Sequence, residues 1–145
     1  MTAEFIDVLA DVLLPGDAHW PSGAELDLTE SVRSLSALVP GHTESMFELE
    51  QTLGSDFIGE PFQRRHAALA AVEGERPDLF GVARLVVFDA YYRHPRVLVV
   101  LADRCGYRGE PPQPAGFPFE DFDPSVLATV RTMAKRWRDD ATSAV

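Results

Sequence analysis

Apolar residues recur at helical spacing along most of the chain. Phe5, Ile6, Leu9, Val12 and Leu13 form a stripe, with Glu4, Asp7 and Asp11 facing away from it. That three-to-four-residue period is the signature of an amphipathic helix. Pro15-Gly16 ends this helix, and a loop follows through Asp17, Ala18, His19, Trp20, Pro21, Ser22 and Gly23. Val32, Leu35, Leu38 and Val39 predict a second helix over 27–39, stopped by Pro40-Gly41. Thr43 suits the N-cap of a third, which carries Met46, Phe47, Leu49 and Leu53 and is closed by Gly54. Glu60-Pro61 opens a fourth, with Phe62, His66, Leu69 and Val72 on one side.

The fifth helix opens at Pro77-Asp78. Its residues Leu79, Val82, Leu85, Val86, Phe88, Tyr91 and Tyr92 leave few polar gaps, which predicts a central helix buried on most sides. His94-Pro95 breaks it. The run Val97-Leu98-Val99-Val100-Leu101 has the β-branched content of a strand, but no other segment offers a partner strand. Pro95 before it and Gly106 after it frame a short helix better. Residues 106–122 form a long loop with four prolines and with Tyr107, Phe117, Phe119 and Phe122. Asp123-Pro124 then caps a last helix with Val126, Val130, Met133 and Trp137 on its inner stripe, ending near Asp140, with 141–145 frayed. The fold class is therefore all-α: a single domain over 1–145, of six to seven helices, with a long Pro/aromatic-rich loop before the C-terminal helix.

Length and composition agree with one domain. The chain has 145 residues, 46% of them hydrophobic, an ordinary share for a globular protein. Charge adds an asymmetry. Residues 1–60 hold twelve acids and one base, Arg33, a net of −11, while residues 61–145 are close to neutral. An acidic half argues against nucleic-acid backbones and anionic lipid surfaces, which attract basic patches. It reads either as a solvated face or as a docking face for a basic partner. The start of the chain lacks a basic n-region and has no uninterrupted apolar stretch, and no stretch is long enough to span a bilayer. The expectation is a cytoplasmic protein without membrane insertion.

The residues offer little reaction chemistry. His19, His42, His66 and His94 are scattered, none spaced to share a metal on one helix face, so no metal site is expected. No glycine-rich phosphate loop or Gly-x-Ser-x-Gly elbow occurs. The one cysteine, Cys105, cannot form an internal disulfide and reads as a small core residue. Glu120, Asp121 and Asp123 cluster, but Asp123 serves as a cap and its neighbours as solvated loop charge. Catalytic, cofactor-binding and metal residues are accordingly expected to be none.

Aromatic residues in segments that should be loops stand out instead. Trp20 lies between His19 and Pro21, and the 106–122 loop combines prolines with four aromatics. Such a segment is either a lid on its own core or an arm laid across another protein, where prolines lower the ordering cost and aromatics supply contact area. The candidate interface residues are Trp20, Tyr91, Tyr92, Arg93, His94, Pro95, Tyr107, Arg108, Pro111, Pro112, Phe117 and Phe119. For Tyr91 and Tyr92, at helical spacing, core packing and interface both stay open.

The stretches Leu13-Leu14-Pro15-Gly16-Asp17, Ala90-Tyr91-Tyr92-Arg93-His94-Pro95 and Cys105-Gly106-Tyr107-Arg108-Gly109-Glu110-Pro111 resemble, in order, the motifs of the gluconate 2-dehydrogenase subunit 3 family. The resemblance covers roughly residues 5–120. It implies the small, non-catalytic accessory subunit of an FAD-dependent sugar or alcohol oxidoreductase of the glucose–methanol–choline class. This chain would then carry no cofactor, with FAD on a large partner subunit that it binds and stabilises or matures in a hetero-oligomer. Many family members carry a twin-arginine export signal. Here Arg64-Arg65 is mid-chain with no apolar region behind it, a departure that favours a cytoplasmic complex. Two other readings stand beside this one: a stand-alone acidic helical regulatory or binding module, and a small cofactor-free enzyme using Glu120 or Asp121 as a base.

Overall fold

A computed structural model of the chain describes residues 1–107, 124–128 and 132. The chain falls into two compact units, Met1–Glu110 and Pro111–Val145. The fold is all-α. Among the described residues seven α-helices are present: α1 (Ala3–Leu13), α2 (Thr29–Leu38), α3 (His42–Leu53), α4 (Asp56–Gly59), α5 (Phe62–Glu75), α6 (Pro77–Tyr92) and α7 (Pro95–Cys105). All seven belong to the first unit. In the second, Pro124–Leu127 is a 3₁₀ turn. The rest of the helix predicted there, the 108–122 part of the long loop and the fraying at 141–145 lie outside the described residues.

The predicted apolar stripes become the core. Phe5, Ile6, Leu9 and Ala10 of α1 are fully enclosed, and the Phe5 ring packs 6.1 Å from Phe57 of α4. Full burial of one such side chain is worth about 1.5–3 kcal/mol, which is why these stripes dictate helix orientation. The start of α1 is anchored twice. Thr2 Oγ1 accepts the Phe5 N–H at 3.2 Å, while the Thr2 N–H and hydroxyl donate to Glu50 of α3 at 2.9 and 2.8 Å. α6 takes the central position expected of it, packing against α1, α2, α3, α5 and α7. The 95–105 run is helical: Pro95 stands at its first turn, and His94 Nδ1 accepts the Arg96 N–H at 3.2 Å. Proline there costs no hydrogen bond, because the first-turn N–H groups of a helix have no partner within it.

Four details differ from the sequence reading. The α3 N-cap is Gly41, at φ 86°, so Thr43 lies inside the helix and caps nothing. On α5 it is Arg65, not His66, that turns inward. Its guanidinium lies 3.7 Å from Asp11 of α1, and His66 is exposed. Asp11 therefore faces a neighbouring helix rather than away, because a long Arg can bury its stem and still reach a carboxylate. Cys105 is exposed, not core. Only Val97 of α7 is fully buried, so the far end of that helix lies beyond the packed layer. Finally, α6 is buried on most sides as expected, but Leu85, counted on its apolar surface, is 60% exposed.

Candidate functional site

The stretch 13–17 and the pair Tyr91-Tyr92 lie far apart in sequence and meet on one surface of the first unit. α1 ends at Leu13, and the chain then makes a tight, internally bonded loop. The Leu14 carbonyl accepts the Gly23 N–H at 2.7 Å, and the Trp20 carbonyl accepts the Asp17 N–H at 3.0 Å. Asp17 Oδ1 in turn accepts the N–H groups of His19 at 2.7 Å and Trp20 at 2.9 Å. An aspartate that bonds the backbone two and three residues on is a turn-former in its own right. Those two amides, His19 foremost, hold the exposed Asp17 carboxyl below the usual aspartate range.

Two glycines make this loop possible. At Gly16, φ is 73°, and an added methyl would fall 2.6 Å from the Ser22 nitrogen and 2.9 Å from the Trp20 carbonyl. At Gly23 it would run into the Ala10 carbonyl of α1. The loop thus lies directly on the helix it follows. The Tyr91 hydroxyl then donates to the Pro21 carbonyl at 2.7 Å, tying the loop to α6.

The paired tyrosines divide their roles. Tyr91 is 3% exposed and its burial pushes the phenol pKa up, whereas Tyr92 is 47% exposed. The two rings meet edge to face at 5.3 Å, and Phe88 meets Tyr92 in the same way at 6.4 Å. Between loop and helix lies a hollow of about 260 Å³, lined by Leu13, Leu14, Asp17, Trp20, Tyr91 and Tyr92 among others. A groove of about 270 Å³ shares Leu13 with it and runs between α1, α5 and α6 past Leu69, Phe80 and Phe88. Arg84 lies over the Phe80 ring at 5.7 Å there. On the other side of Trp20, a more polar hollow of about 250 Å³ is lined by Asp17, His19, Glu25 and Arg96. Arg96 donates to the Glu25 carbonyl at 3.1 Å.

Of the candidate interface residues, Trp20 is half-buried in the loop, and Arg93 is exposed and ion-paired with Asp89 at 2.6 Å. His94 and Pro95 form the α6–α7 elbow, and Tyr107 is half exposed beyond α7. Arg108, Pro111, Pro112, Phe117 and Phe119 lie outside the described residues. The structure thus brings Trp20, Tyr91 and Tyr92 together. The candidate set omitted Leu13, Leu14 and Asp17, which line the hollow, and Phe88, which packs on Tyr92. The signal was present in α6, which is too apolar around its circumference for a small unit to cover entirely.

Chemically, the hollow beside Tyr91 and Tyr92 offers apolar area, aromatic faces and the carboxylate of Asp17, and the hollow across Trp20 adds Glu25 and Arg96. Among the described residues no group of three or more His, Cys, Asp and Glu could hold a metal ion, and no helix is long and apolar enough to cross a membrane. No protein-family profile, no curated protein and no solved structure matches the chain.

Proposed function

We propose that this chain is a non-catalytic small subunit that binds an FAD-dependent sugar or alcohol oxidoreductase large subunit and stabilises or matures it. One observation carries the reading: two of the three stretches that resemble the accessory-subunit motifs, 13–17 and 90–95, meet through Leu13–Asp17 and Tyr91-Tyr92 on one aromatic, partly exposed surface. A loop held by internal hydrogen bonds and glycine close packing is preorganised, and preorganisation lowers the entropic cost of docking. Trp20 and Tyr92 are the residue types that dominate binding energy at protein interfaces.

The test is gentle purification of the tagged chain from its own host, followed by an absorbance spectrum and mass analysis. A co-purifying large protein with flavin absorption bands is expected, and Tyr92→Ala should lower its recovery at least severalfold while the helical signal is unchanged. A colourless chain eluting alone overturns the reading. The acidic-module alternative draws on the unequal charge of the two halves. It would instead show a monomer whose binding to basic partners weakens steeply with salt.

A further inference from the structure

We propose that the hollow between Leu14, Trp20 and Tyr92 is a preformed socket for one apolar side chain of the partner, and that Asp17 beside it takes an Arg or Lys one or two residues away in the same partner segment. This deepens the subunit reading and rests on it.

Three observations converge. First, the loop that frames the socket is held before any partner arrives: Tyr91 to Pro21, Gly23 to Leu14 and Asp17 to Trp20 are all hydrogen-bonded, and no methyl fits at Gly16 or Gly23 without a shift. A loop backbone held in this way resists closing over the hollow, which keeps the apolar area available to an incoming side chain. Secondly, Asp17 is the one lining residue that bears a charge. Its Oδ1 is occupied by two backbone amides, and among the described residues no side-chain donor bonds the carboxylate. His19 and Arg104 act on it only through space. Thirdly, residues 1–60, which supply Leu14, Asp17 and Trp20, carry a net charge of −11, and Arg93 and Arg96 nearby are already ion-paired with Asp89 and Glu25, so long-range attraction favours a basic segment over an acidic one. An apolar anchor followed closely by a cation satisfies all three.

The experiment places p-benzoylphenylalanine at Tyr92 of the tagged chain in its own host, irradiates, and maps the cross-linked segment by mass spectrometry. A companion variant, Asp17→Asn, retains one oxygen to accept the His19 and Trp20 amides, while it removes the charge and exchanges the second oxygen for an NH2 donor. The expected cross-link joins an apolar residue with Arg or Lys within two positions, in a flavoprotein. Asp17→Asn is expected to weaken that complex about two- to fivefold at low salt, the range of an exposed ion pair, and to have little effect near 0.5 M salt. A segment with no base within two positions, an Asp17→Asn affinity equal to wild type, or no cross-link at all overturns the socket. If the same segment pattern appears in a protein without flavin, the socket stands and the subunit reading falls.

Discussion

Tyr91→Phe removes one hydroxyl and leaves the buried ring of α6 in place. The hydroxyl joins residues seventy positions apart through a 2.7 Å bond to the Pro21 carbonyl. A typical hydrogen bond contributes about 0.5–1.5 kcal/mol net, and more is lost when a shielded acceptor is left without a partner. Pro21 is half-buried, so water replaces the lost donor only in part. The expected cost is about 1–1.5 kcal/mol, against about 3–5 kcal/mol for Tyr91→Ala, which also empties the ring site. With a urea dependence of about 1–3 kcal/mol per molar, the Phe variant's midpoint should fall by about half a molar. Amide exchange supplies the local readout. The N–H groups of Asp17 and Gly23 should exchange faster in Tyr91→Phe, while those of Leu49 and Leu69, in α3 and α5, keep their wild-type ranking. There is also a pH signature. Burial raises the Tyr91 phenol pKa above its ordinary value of about 10, so the folded state retains this proton longer than the unfolded state. Its contribution is complete below that value and is lost as pH rises through it toward the folded-state pKa. The Phe variant should therefore lose less stability than wild type as pH rises above the ordinary phenol value of about 10. A Tyr91→Phe midpoint within about 0.1 M of wild type, with unchanged exchange at Asp17 and Gly23, would refute the idea that this hydroxyl holds the loop.

Gly23→Ala forces a methyl onto the Ala10 carbonyl, so α1 and the loop must separate; overpacking of this kind costs about 1–3 kcal/mol, read as a drop in thermal midpoint, whereas Gly74→Ala, in open space on α5, should be neutral or slightly stabilising. Glu50 is subject to burial, which raises its pKa, but bonds from the Thr2 N–H and hydroxyl and the Met1 ammonium outweigh it and bring the pKa below the usual range. Its contribution is then present above the ordinary glutamate value of about 4.3 and lost as pH falls below it. Glu50→Gln should lower the midpoint by a few degrees at neutral pH and by clearly less at pH 3, as followed by circular dichroism; an equal loss at both pH values would remove the ionic part of the argument.

Long helices were legible because their period is repeated over three or more turns. α1, α5, α6 and α7 start and stop within a few residues of the signals provided by Pro15, Pro61, Pro77 and Pro95. α4 was not legible: four residues cannot display a period, and Phe57 is buried by its contact with Phe5, a partner distant in sequence. The same limit explains Arg65 and His66. Both fit an inward-facing register on α5, and the choice between them depends on Asp11 of another helix. Cys105 shares the composition of the core but sits at the unpacked end of α7.

The candidate surface follows the same division. Trp20, Tyr91 and Tyr92 could be singled out as aromatic residues at or beside helix breaks. Which tyrosine is structural and which is presented to solvent was not readable, because adjacent helical positions differ by only about 100° and either can face the core. The sequence by itself determined the helical class, the breaks at proline and glycine, the acidic first half and the sparse reaction chemistry. Only the tertiary structure decided that the loop after α1 lies against α1 and α6, that Tyr91 locks it, and that Tyr92, Trp20 and Asp17 stand together at one hollow. Periodicity is a local property set within a few turns of chain, whereas a socket is built from close contacts between segments seventy residues apart, and those depend on how every helix packs.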